Sequence, residues 1–520
     1  MAATVEKAEQ TAVHAEANVL PVAPVITNTD DRDEDGDTKP AAGLDASNLP
    51  NYDDAETKRV LRKVDYRLVP MLVLLYLICF VDKGNIGNAK VAGMNTDLKL
   101  TDSQYNLALM IFFIPYCLFE IPSNVVLKLI RPSYWLAILL SAWGTVMTLH
   151  GIVQSAGGLI AVRFVLGMCE AGFFPAAAYL LGEWYCRFEL QRRVSMLFVS
   201  ASLSGAISGL LGFALELMDG VGGLEGWRWI FIIEGIFTVL VGVLLPWTLP
   251  DSPELCSFLT PAEKLFIRQR LEQDSGTSAG RLQTQESFQW RYVTSTLSDW
   301  RIWFTIFIFW GNTVAVYSFT FTAPTIILEL GYTAAKAQLL TIPIYVTGAI
   351  FTFAMAWLAD RRRTRWPFVV GPYTVALVGF LGVMATPKEK YPGVVYFWLF
   401  FIPGGVYAAV ATLVSWVSNN LSPTWKRAIG IATCIMIGNM GGIVGTNIYI
   451  AKQAPYYWTG YGISLGFLLN AICCTFVLRH VWSKANKQRD LLSEDEIFAT
   501  YTEQELLDMG DRSPLYRYVL

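Results

Sequence analysis

The chain has 520 residues, of which 53% are hydrophobic, 13% are aromatic and only 16% are charged, and its mean hydropathy is +0.40. Soluble domains carry roughly 25% charged residues, so this composition excludes an ordinary soluble enzyme, a collagen-like chain and a wholly disordered chain. The net charge of −3 gives no sign of a nucleic-acid partner.

The charged residues are concentrated in three segments. Of the 40 basic and 43 acidic residues, 22 lie in 1–67, 13 in 248–301 and 14 in 479–520. The rest of the chain carries about one charge in ten residues. A charge-poor majority with three charge-rich segments is typical of a polytopic membrane protein in a lipid bilayer.

The N-terminal segment 1–57 is polar and acidic and includes the run Asp30 to Asp35. It lacks the basic and then apolar start of a secretory signal. The composition predicts a disordered tail that precedes the first span.

Twelve segments are long and apolar enough to cross about 30 Å of hydrocarbon as helices, for which roughly 20 residues are needed. The predicted spans are about 68–92, 103–127, 133–153, 157–183, 193–217, 227–247, 301–328, 337–359, 367–386, 393–418, 427–450 and 460–481. They predict an all-α polytopic membrane protein.

The polar stretch 248–300 separates six spans from six. This layout predicts two six-helix bundles, 58–247 and 301–482, joined by a linker and followed by a tail, 483–520. Two halves of similar length are typical of the major facilitator architecture.

Loop cations predict the orientation. Lysine and arginine residues are frequent before the first span, in the linker and in alternate loops, and they are sparse in the loops between. The positive-inside rule therefore predicts that both termini and the linker are cytoplasmic.

The positions of the cysteines and histidines do not predict a metal site or a catalytic centre. The eight cysteines lie in or beside apolar runs, and the three histidines are His14, His150 and His480. No metal set or nucleophile–base arrangement stands out. We therefore expect no enzyme activity, no cofactor and no metal, and we expect a monomer.

The first span carries charges that its length forces into the membrane. The apolar part, 68–81, reaches only about 21 Å as a helix, so Asp82, Lys83 and Asn85 lie within the bilayer. Each charge there costs at least about 2.5–3.5 kcal/mol and marks a water-filled cavity or an opposite charge. A second interpretation stays open, in which Asp82 and Lys83 only neutralise one another at the membrane surface.

The fourth span supplies possible partners. Arg163 and Glu170 are seven residues apart, so they share one helix face. Arginine keeps its charge and its fork suits a carboxylate, whereas burial favours the protonated form of a glutamate and a nearby cation favours its charged form, a competition that suits proton coupling. The pair therefore points to an anion and a proton, although a static Arg163–Glu170 lock between helices stays open.

A second charged motif follows the eighth span. Asp360, Arg361 and Arg365 predict a cytoplasmic gate, with Glu120 of the second span as a possible substitute partner. Ordinary positive-inside topology and a plain helix-end carboxylate are the alternatives.

Polar residues in the second half are weaker candidates for substrate contact, because such residues also hold membrane helices together. Glu234, in the sixth span, is expected to make a structural hydrogen bond. The candidates for contact are Asn312, Tyr317, Trp416, Asn419, Asn439 and Asn447.

Several of these segments together resemble a known family. The sequence is similar to the anion:cation symporter branch of the major facilitator superfamily, in particular to fungal allantoate permease-type and nicotinate-permease-like transporters. The similarity covers the chain from about residue 55 onward, and its motifs lie at 59–65, 75–89, 163–175, 227–235, 250–253 and 509–514.

The resemblance implies proton-coupled uptake of a small organic anion by alternating access, in the plasma membrane. It implies that Asp82 and Glu170 carry the coupling protons, and that Lys83 and Arg163 bind the anion, with carboxylates such as allantoate, nicotinate or pantothenate as substrates. The chain has Lys83 where arginine is common in the family, which replaces a bidentate fork with a point charge.

Two alternatives to uptake stay open. An efflux antiporter for a drug or secondary metabolite is less favoured, because the fifth span has glycines but lacks the proline expected of such antiporters. A nutrient sensor usually adds a long folded tail, and this tail has only about 40 residues.

Overall fold

The computed structural model describes residues 54–275, 290–362, 364–422, 424–502, 505–506 and 509–520. Most of the predicted disordered tail, 1–53, therefore lies outside the described residues. Every regular element in the described part of the chain is helical, as the sequence predicts.

Twenty α-helices and three short 3₁₀ turns make up these elements. Those before residue 276 are α1 (Asp54–Val91), α2 (Met94–Asp97), α3 (Asp102–Met110), α4 (Phe113–Leu129), α5 (Pro132–His150), α6 (Ala156–Glu170), α7 (Phe173–Gly182), α8 (Arg187–Glu216), a 3₁₀ turn (Val221–Gly223), α9 (Gly226–Thr248) and α10 (Pro261–Ser275).

The elements after residue 289 are α11 (Trp290–Leu297), α12 (Trp300–Glu329), α13 (Ala334–Arg362), α14 (Pro367–Ala385), α15 (Pro392–Leu399), α16 (Phe401–Asn419), α17 (Thr424–Asn439), α18 (Gly441–Asn447), a 3₁₀ turn (Ala451–Gln453), α19 (Trp458–Arg489), α20 (Glu494–Thr500) and a 3₁₀ turn (Gly510–Arg512).

Local side-chain signals start several of these helices. Thr101 and Gln104 form a reciprocal capping box at α3. Ser155 accepts a hydrogen bond from the third residue of α6, and the Asp299 carboxylate caps α12. These polar groups satisfy backbone N–H groups that the helix itself leaves without partners.

Among the described residues, eleven helical segments are long and apolar enough to cross a membrane. They match all the predicted spans except the third, which corresponds to α5. The 19 residues of α5 reach about 28 Å, close to the thickness of a bilayer core. Helix α5 packs along α9, one of the eleven, so the helices account for twelve spans.

Four spans are broken into two helices. The breaks separate α3 from α4, α6 from α7, α15 from α16, and α17 from α18. At the second break, a Cβ on Gly172 would lie 1.7 Å from Ser123 Oγ, so only glycine allows this approach to α4. Broken spans of this kind place side chains at membrane depth in transporters.

Helices from both predicted halves pack together. Helix α8 contacts α13 and α16, and α1 contacts α12. We call the end at which α1, α8 and α12 begin the linker end, because residues 248–300 join the helices there. The division into two six-helix bundles stays a prediction.

Candidate functional site

A buried ion pair joins the first and fourth spans. Lys83 Nζ of α1 lies 2.8 Å from Glu170 Oε1, at the last residue of α6. Cys79, one turn before Lys83, donates to the same oxygen at 2.8 Å. Lys83 is 5% exposed and Glu170 is fully buried. The break after Glu170 thus ends α6 beside the lysine.

Aromatic rings surround the lysine ammonium group. Lys83 Nζ lies 4.8 Å from the ring centre of Tyr116, 5.1 Å from that of Phe80 and 5.7 Å from that of Phe112. Cation–π attraction at these distances supports a buried ammonium group without adding a negative charge.

A central cavity with an empty volume of about 650 Å³ lies beside Lys83, between the two sets of spans. Its wall is mainly aromatic and aliphatic, with one charged side chain, Lys83. Glu170 is not part of the wall. The lining residues are Tyr76, Cys79, Phe80, Lys83, Tyr116, Phe174, Phe198, Phe309, Asn312, Thr313, Val316, Tyr317, Tyr407, Val410, Val414, Ile435 and Asn439.

Asp82 faces away from this cavity. Its Oδ2 accepts a hydrogen bond from Trp143 Nε1 at 2.6 Å and lies 3.5 Å from Thr238 Oγ1. Its Oδ1 is buried and has no hydrogen-bond partner among the described residues. Asp82 and Lys83 are therefore separated into two environments.

Arg163 is buried behind the cavity. It is 2% exposed, and its Nε and Nη2 have no hydrogen-bond partner in the described ranges. It lies close enough to Tyr105, Glu170 and Asp82 to interact electrostatically. The structure pairs Glu170 with Lys83, and Arg163 does not line the cavity.

Asn85 belongs to a polar chain that crosses three helices. Its amide Nδ2 donates to Glu234 Oε2 of α9, and its Oδ1 accepts from Ser208 Oγ of α8 at 3.0 Å. Ser208 Oγ in turn accepts from Asn88 Nδ2 at 2.7 Å. Asn85 does not line the central cavity.

The predicted polar residues of the second half lie in different places. Asn312, Tyr317 and Asn439 line the central cavity. Asn419 lines a different cavity at the linker end. Asn447 is exposed and donates to Ile443 O of its own helix at 2.8 Å, outside both cavities.

The linker-end cavity contains part of the predicted gate. Its empty volume is about 2400 Å³, and Asp360 and Arg365 lie in its wall. Arg365 Nη1 lies 3.0 Å from Asp360 Oδ1. Arg361 is exposed over the Trp357 ring, and Glu120 is buried one turn from Tyr116 of the central cavity. The structure does not bring Arg361 or Glu120 into the Asp360–Arg365 pair.

The opposite wall of the linker-end cavity holds an interhelical lock that the sequence prediction missed. Arg193 of α8 donates from Nε and Nη2 to both oxygens of Asp65 on α1, at 2.9 and 3.0 Å. Tyr185 donates to the same carboxylate at 2.7 Å. Asp65 is the single acidic residue in the basic segment 58–67, and this pattern could have predicted an ion pair.

The described residues 509–520 dock on the second set of spans at the linker end. Asp511 lies 2.7 Å from both Lys426 Nζ and Arg301 Nη2, and these two cations also bind Asp299. Burial raises the pKa of Asp299, but Arg301 and Lys426 outweigh it and bring that pKa to about 2. We call these four residues the tail clasp.

Backbone contacts extend the docking toward the cavity. Val519 O accepts hydrogen bonds from Trp416 Nε1 at 2.9 Å and from Asn420 Nδ2 at 3.0 Å. Arg365 N donates to Leu520 O at 2.6 Å. Trp416, a predicted substrate contact, therefore binds the tail, and Val519 lines the linker-end cavity.

Helices close against each other away from the linker end. A Cβ on Gly209 of α8 would lie 2.2 Å from Thr341 Oγ1 and 2.7 Å from Gln338 O of α13. The large cavity at the linker end and this tight packing together describe a state that is open on one side.

Comparisons with known proteins agree with this architecture. A model of the Major Facilitator Superfamily matches residues 72–446. The MFS-type transporter cnsO of Penicillium expansum is 35% identical over 479 residues, which cover 90% of this chain and 92% of that protein. The high-affinity nicotinic acid transporter of Saccharomyces cerevisiae is 30% identical over 481 residues, 92% of this chain and 88% of that one.

Solved structures match in fold. A bacterial homologue of the human lysosomal transporter Spinster, in an inward-facing and unoccupied conformation, has a TM-score of 0.61 at 15% sequence identity and covers 82% of this chain and 97% of its own. The xylose transporter XylE of E. coli, partially occluded and inward open, has a TM-score of 0.60 at 15% identity and covers 80% and 97%. The chain is therefore a multi-pass membrane transporter rather than an enzyme, and it belongs to the major facilitator superfamily.

Proposed function

We propose that this chain is a proton-coupled transporter that takes up a small organic monoanion with a planar ring. The observation that carries the proposal is the position of Lys83. Its ammonium group lies in the cavity wall, whereas its partner Glu170 lies behind the wall. A carboxylate that enters the cavity can therefore reach the cation directly.

The composition of the cavity supports a ring-bearing substrate. Its wall is mainly apolar with a few polar groups, as in small-molecule binding sites. Eight aromatic side chains line it, and such walls stack on flat rings. Asn312 and Asn439 offer amide groups that orient a second polar atom. The nicotinic acid transporter among the relatives is named for a substrate of this kind.

The pair Lys83–Glu170 supports coupling between anion and proton. When a substrate carboxylate pairs with Lys83, Glu170 loses its partner, and a buried carboxylate without a partner is costly. Uptake of a proton by Glu170 removes that cost. The anion and the proton then stabilise the same state, and the two sets of spans move around the neutral site.

Asp82 and Arg163 enter the proposal as groups behind the cavity. Asp82 is the second predicted proton carrier, and Arg163 supplies a fixed charge beside it. The linker end faces the cytoplasm in this proposal, with both termini on that side, in the plasma membrane. Two six-helix bundles in a monomer complete it.

Uptake by purified protein in liposomes tests the proposal. We expect labelled nicotinate to accumulate when the outside is more acidic, and an uncoupler to abolish accumulation. Neutral nicotinamide is the matched control ligand, because it keeps the ring and lacks the charge. Uptake of nicotinate that ignores the pH gradient would contradict proton coupling.

Two further measurements test the role of Lys83 and the direction of transport. Lys83→Met is expected to lose nicotinate binding, whereas Lys390→Met, at an exposed loop position, is expected to keep it. If nicotinate instead accumulates only when the inside of the liposome is more acidic, so that protons leave as nicotinate enters, the result would favour an efflux antiporter.

A further inference from the structure

Several carboxyl groups are buried among the described residues of the first six spans. Apart from His150, and from Arg193 and Arg228, which pair with the partly exposed Asp65 and Glu225, six Asp, Glu, Lys or Arg side chains of these spans are at least nine-tenths buried. Four are acids and two are cations: Asp82, Glu120, Glu170, Glu234, Lys83 and Arg163.

This imbalance has a consequence for protonation. Lys83 and Glu170 neutralise one another at 2.8 Å. Arg163 alone remains to balance Asp82, Glu120 and Glu234. Because an uncompensated charge in a membrane interior is costly, a neutral interior requires two of these three carboxyl groups to hold protons.

Glu234 and Asp82 lie on facing turns of α9 and α1. Glu234 Oε2 accepts from Asn85, three residues after Asp82. Thr238, one turn after Glu234, lies 3.5 Å from Asp82 Oδ2 and donates to Glu234 O at 2.9 Å. Each carboxyl keeps one buried oxygen without a described partner, Asp82 Oδ1 and Glu234 Oε1.

A polar route leads toward Glu234. Asn88, Ser208 and Asn85 form successive hydrogen bonds that end on its Oε2. Asn88 and Ser208 also line a small cavity with an empty volume of about 340 Å³. That cavity shares Phe80 and Tyr407 with the central cavity, so the two adjoin.

We propose that Glu234 and Asp82 form a second proton-holding site, separate from the anion site at Lys83, and that Glu234 carries a proton through the transport cycle. This inference rests on the proposed function and adds a carboxyl group to it. In the loaded state a hydronium ion transfers its proton to a Glu234 carboxylate oxygen, so one O–H bond of hydronium breaks, one forms on Glu234 and water is released; the reverse transfer to water follows on the other side. No other bond changes.

The groups around Glu234 leave Asp82 as its main titratable neighbour. On α5 the titratable side chain nearby is His150, which stacks on Phe231 of α9 at 5.2 Å. Helix α8 contributes Ser208 through Asn85, and its Glu216 lies about two turns farther along. Among the buried cations of the same half, Lys83 pairs with Glu170, Arg193 pairs with Asp65, and Arg228 pairs with Glu225 at the start of α9, which leaves Arg163 without a paired carboxylate in the described residues.

The test compares Glu234→Gln with the full-length wild-type chain in liposomes, with labelled nicotinate as the probe. With the membrane potential held at zero by equal potassium concentrations and valinomycin, each coupled proton multiplies the accumulation of nicotinate by ten for every unit of pH difference. With a difference of one unit, we expect Glu234→Gln to accumulate about tenfold less nicotinate. Nicotinate counterflow, which needs no net proton movement, is expected to match that of the wild type.

Two control variants show whether an effect of Glu234→Gln comes from the loss of the carboxyl group at this position. Glu389→Gln makes the same substitution at an exposed loop position and should accumulate nicotinate as the wild type does. Glu234→Asp keeps a carboxyl group and should retain gradient-driven accumulation. Wild-type accumulation by Glu234→Gln would overturn the inference, as would loss of counterflow in a Glu234→Gln protein that elutes as a monodisperse species. Failure of the wild type itself to respond to the pH gradient would overturn the proposed function instead.

Discussion

Replacing Lys83 by methionine perturbs the central ion pair directly. Lys83 Nζ and Glu170 Oε1 are 2.8 Å apart, and both side chains are buried. At an effective dielectric constant of about 20, two unit charges at that distance attract by roughly 6 kcal/mol. Desolvation offsets part of this attraction, but Glu170 stays buried when its partner is removed. We therefore expect Lys83→Met to lower the free energy of unfolding by about 3–5 kcal/mol.

A double-mutant cycle isolates the pair from other effects of the substitution. Free energies of unfolding are measured by reversible denaturation in mixed micelles for Lys83→Met, for Glu170→Gln and for the double variant. The double variant should lower the free energy of unfolding by about 2–3 kcal/mol less than the sum of the two single variants, because it leaves no unpaired charge. Lys83→Arg, which keeps the charge, is the matched control. Single costs that add to within about 0.5 kcal/mol would refute the pairing.

Three further predictions concern the linker end and the closed side. Asp511→Asn should lower the free energy of unfolding by about 3 kcal/mol, since it breaks two buried ion pairs, whereas Asp490→Asn, whose pair with Arg517 is exposed, should cost less than about 1 kcal/mol. The lowered pKa of Asp299 contributes stability that is present above pH 3.8 and is lost as the pH falls toward about 2. The melting temperature of the wild type should therefore fall over that window, and that of Asp299→Asn should change less. Gly209→Ala should separate α8 from α13 at their close contact. It should thereby reduce the rate at which a maleimide labels the cysteine of Met196→Cys in the linker-end cavity. Gly157→Ala is the control, because open space surrounds Gly157, and it should leave the labelling rate unchanged.

Local sequence patterns predict the helices and the buried charges of this chain well. Apolar runs locate the spans because a helix must cross a fixed thickness of hydrocarbon. The same length argument places Asp82 and Lys83 inside the membrane, where both are buried. The helix breaks in the second, fourth and tenth spans were not predicted, because each depends on contacts with another helix, such as that of Gly172 with Ser123.

Partner choice is less predictable than burial. Successive residues of a helix point about 100° apart, so Asp82 and Lys83 face different neighbours, Trp143 and Glu170. Sequence spacing gives no distance between spans, so the pairing of Glu170 with Lys83 rather than Arg163 required the tertiary structure. Glu234 was expected to make only a structural hydrogen bond, because its proximity to Asp82 depends on how α9 packs on α1.

The tail clasp ties the order of synthesis to the completion of the fold. Arg301 and Asp511 are 210 residues apart along the chain, yet they are in contact. Arg301 and Lys426 are translated before Asp511, and with Asp299 alone they carry one excess positive charge. That charge is balanced only when residue 511 has been translated. A chain that ended before residue 511 would leave one positive charge of Arg301 and Lys426 uncompensated within the tail clasp.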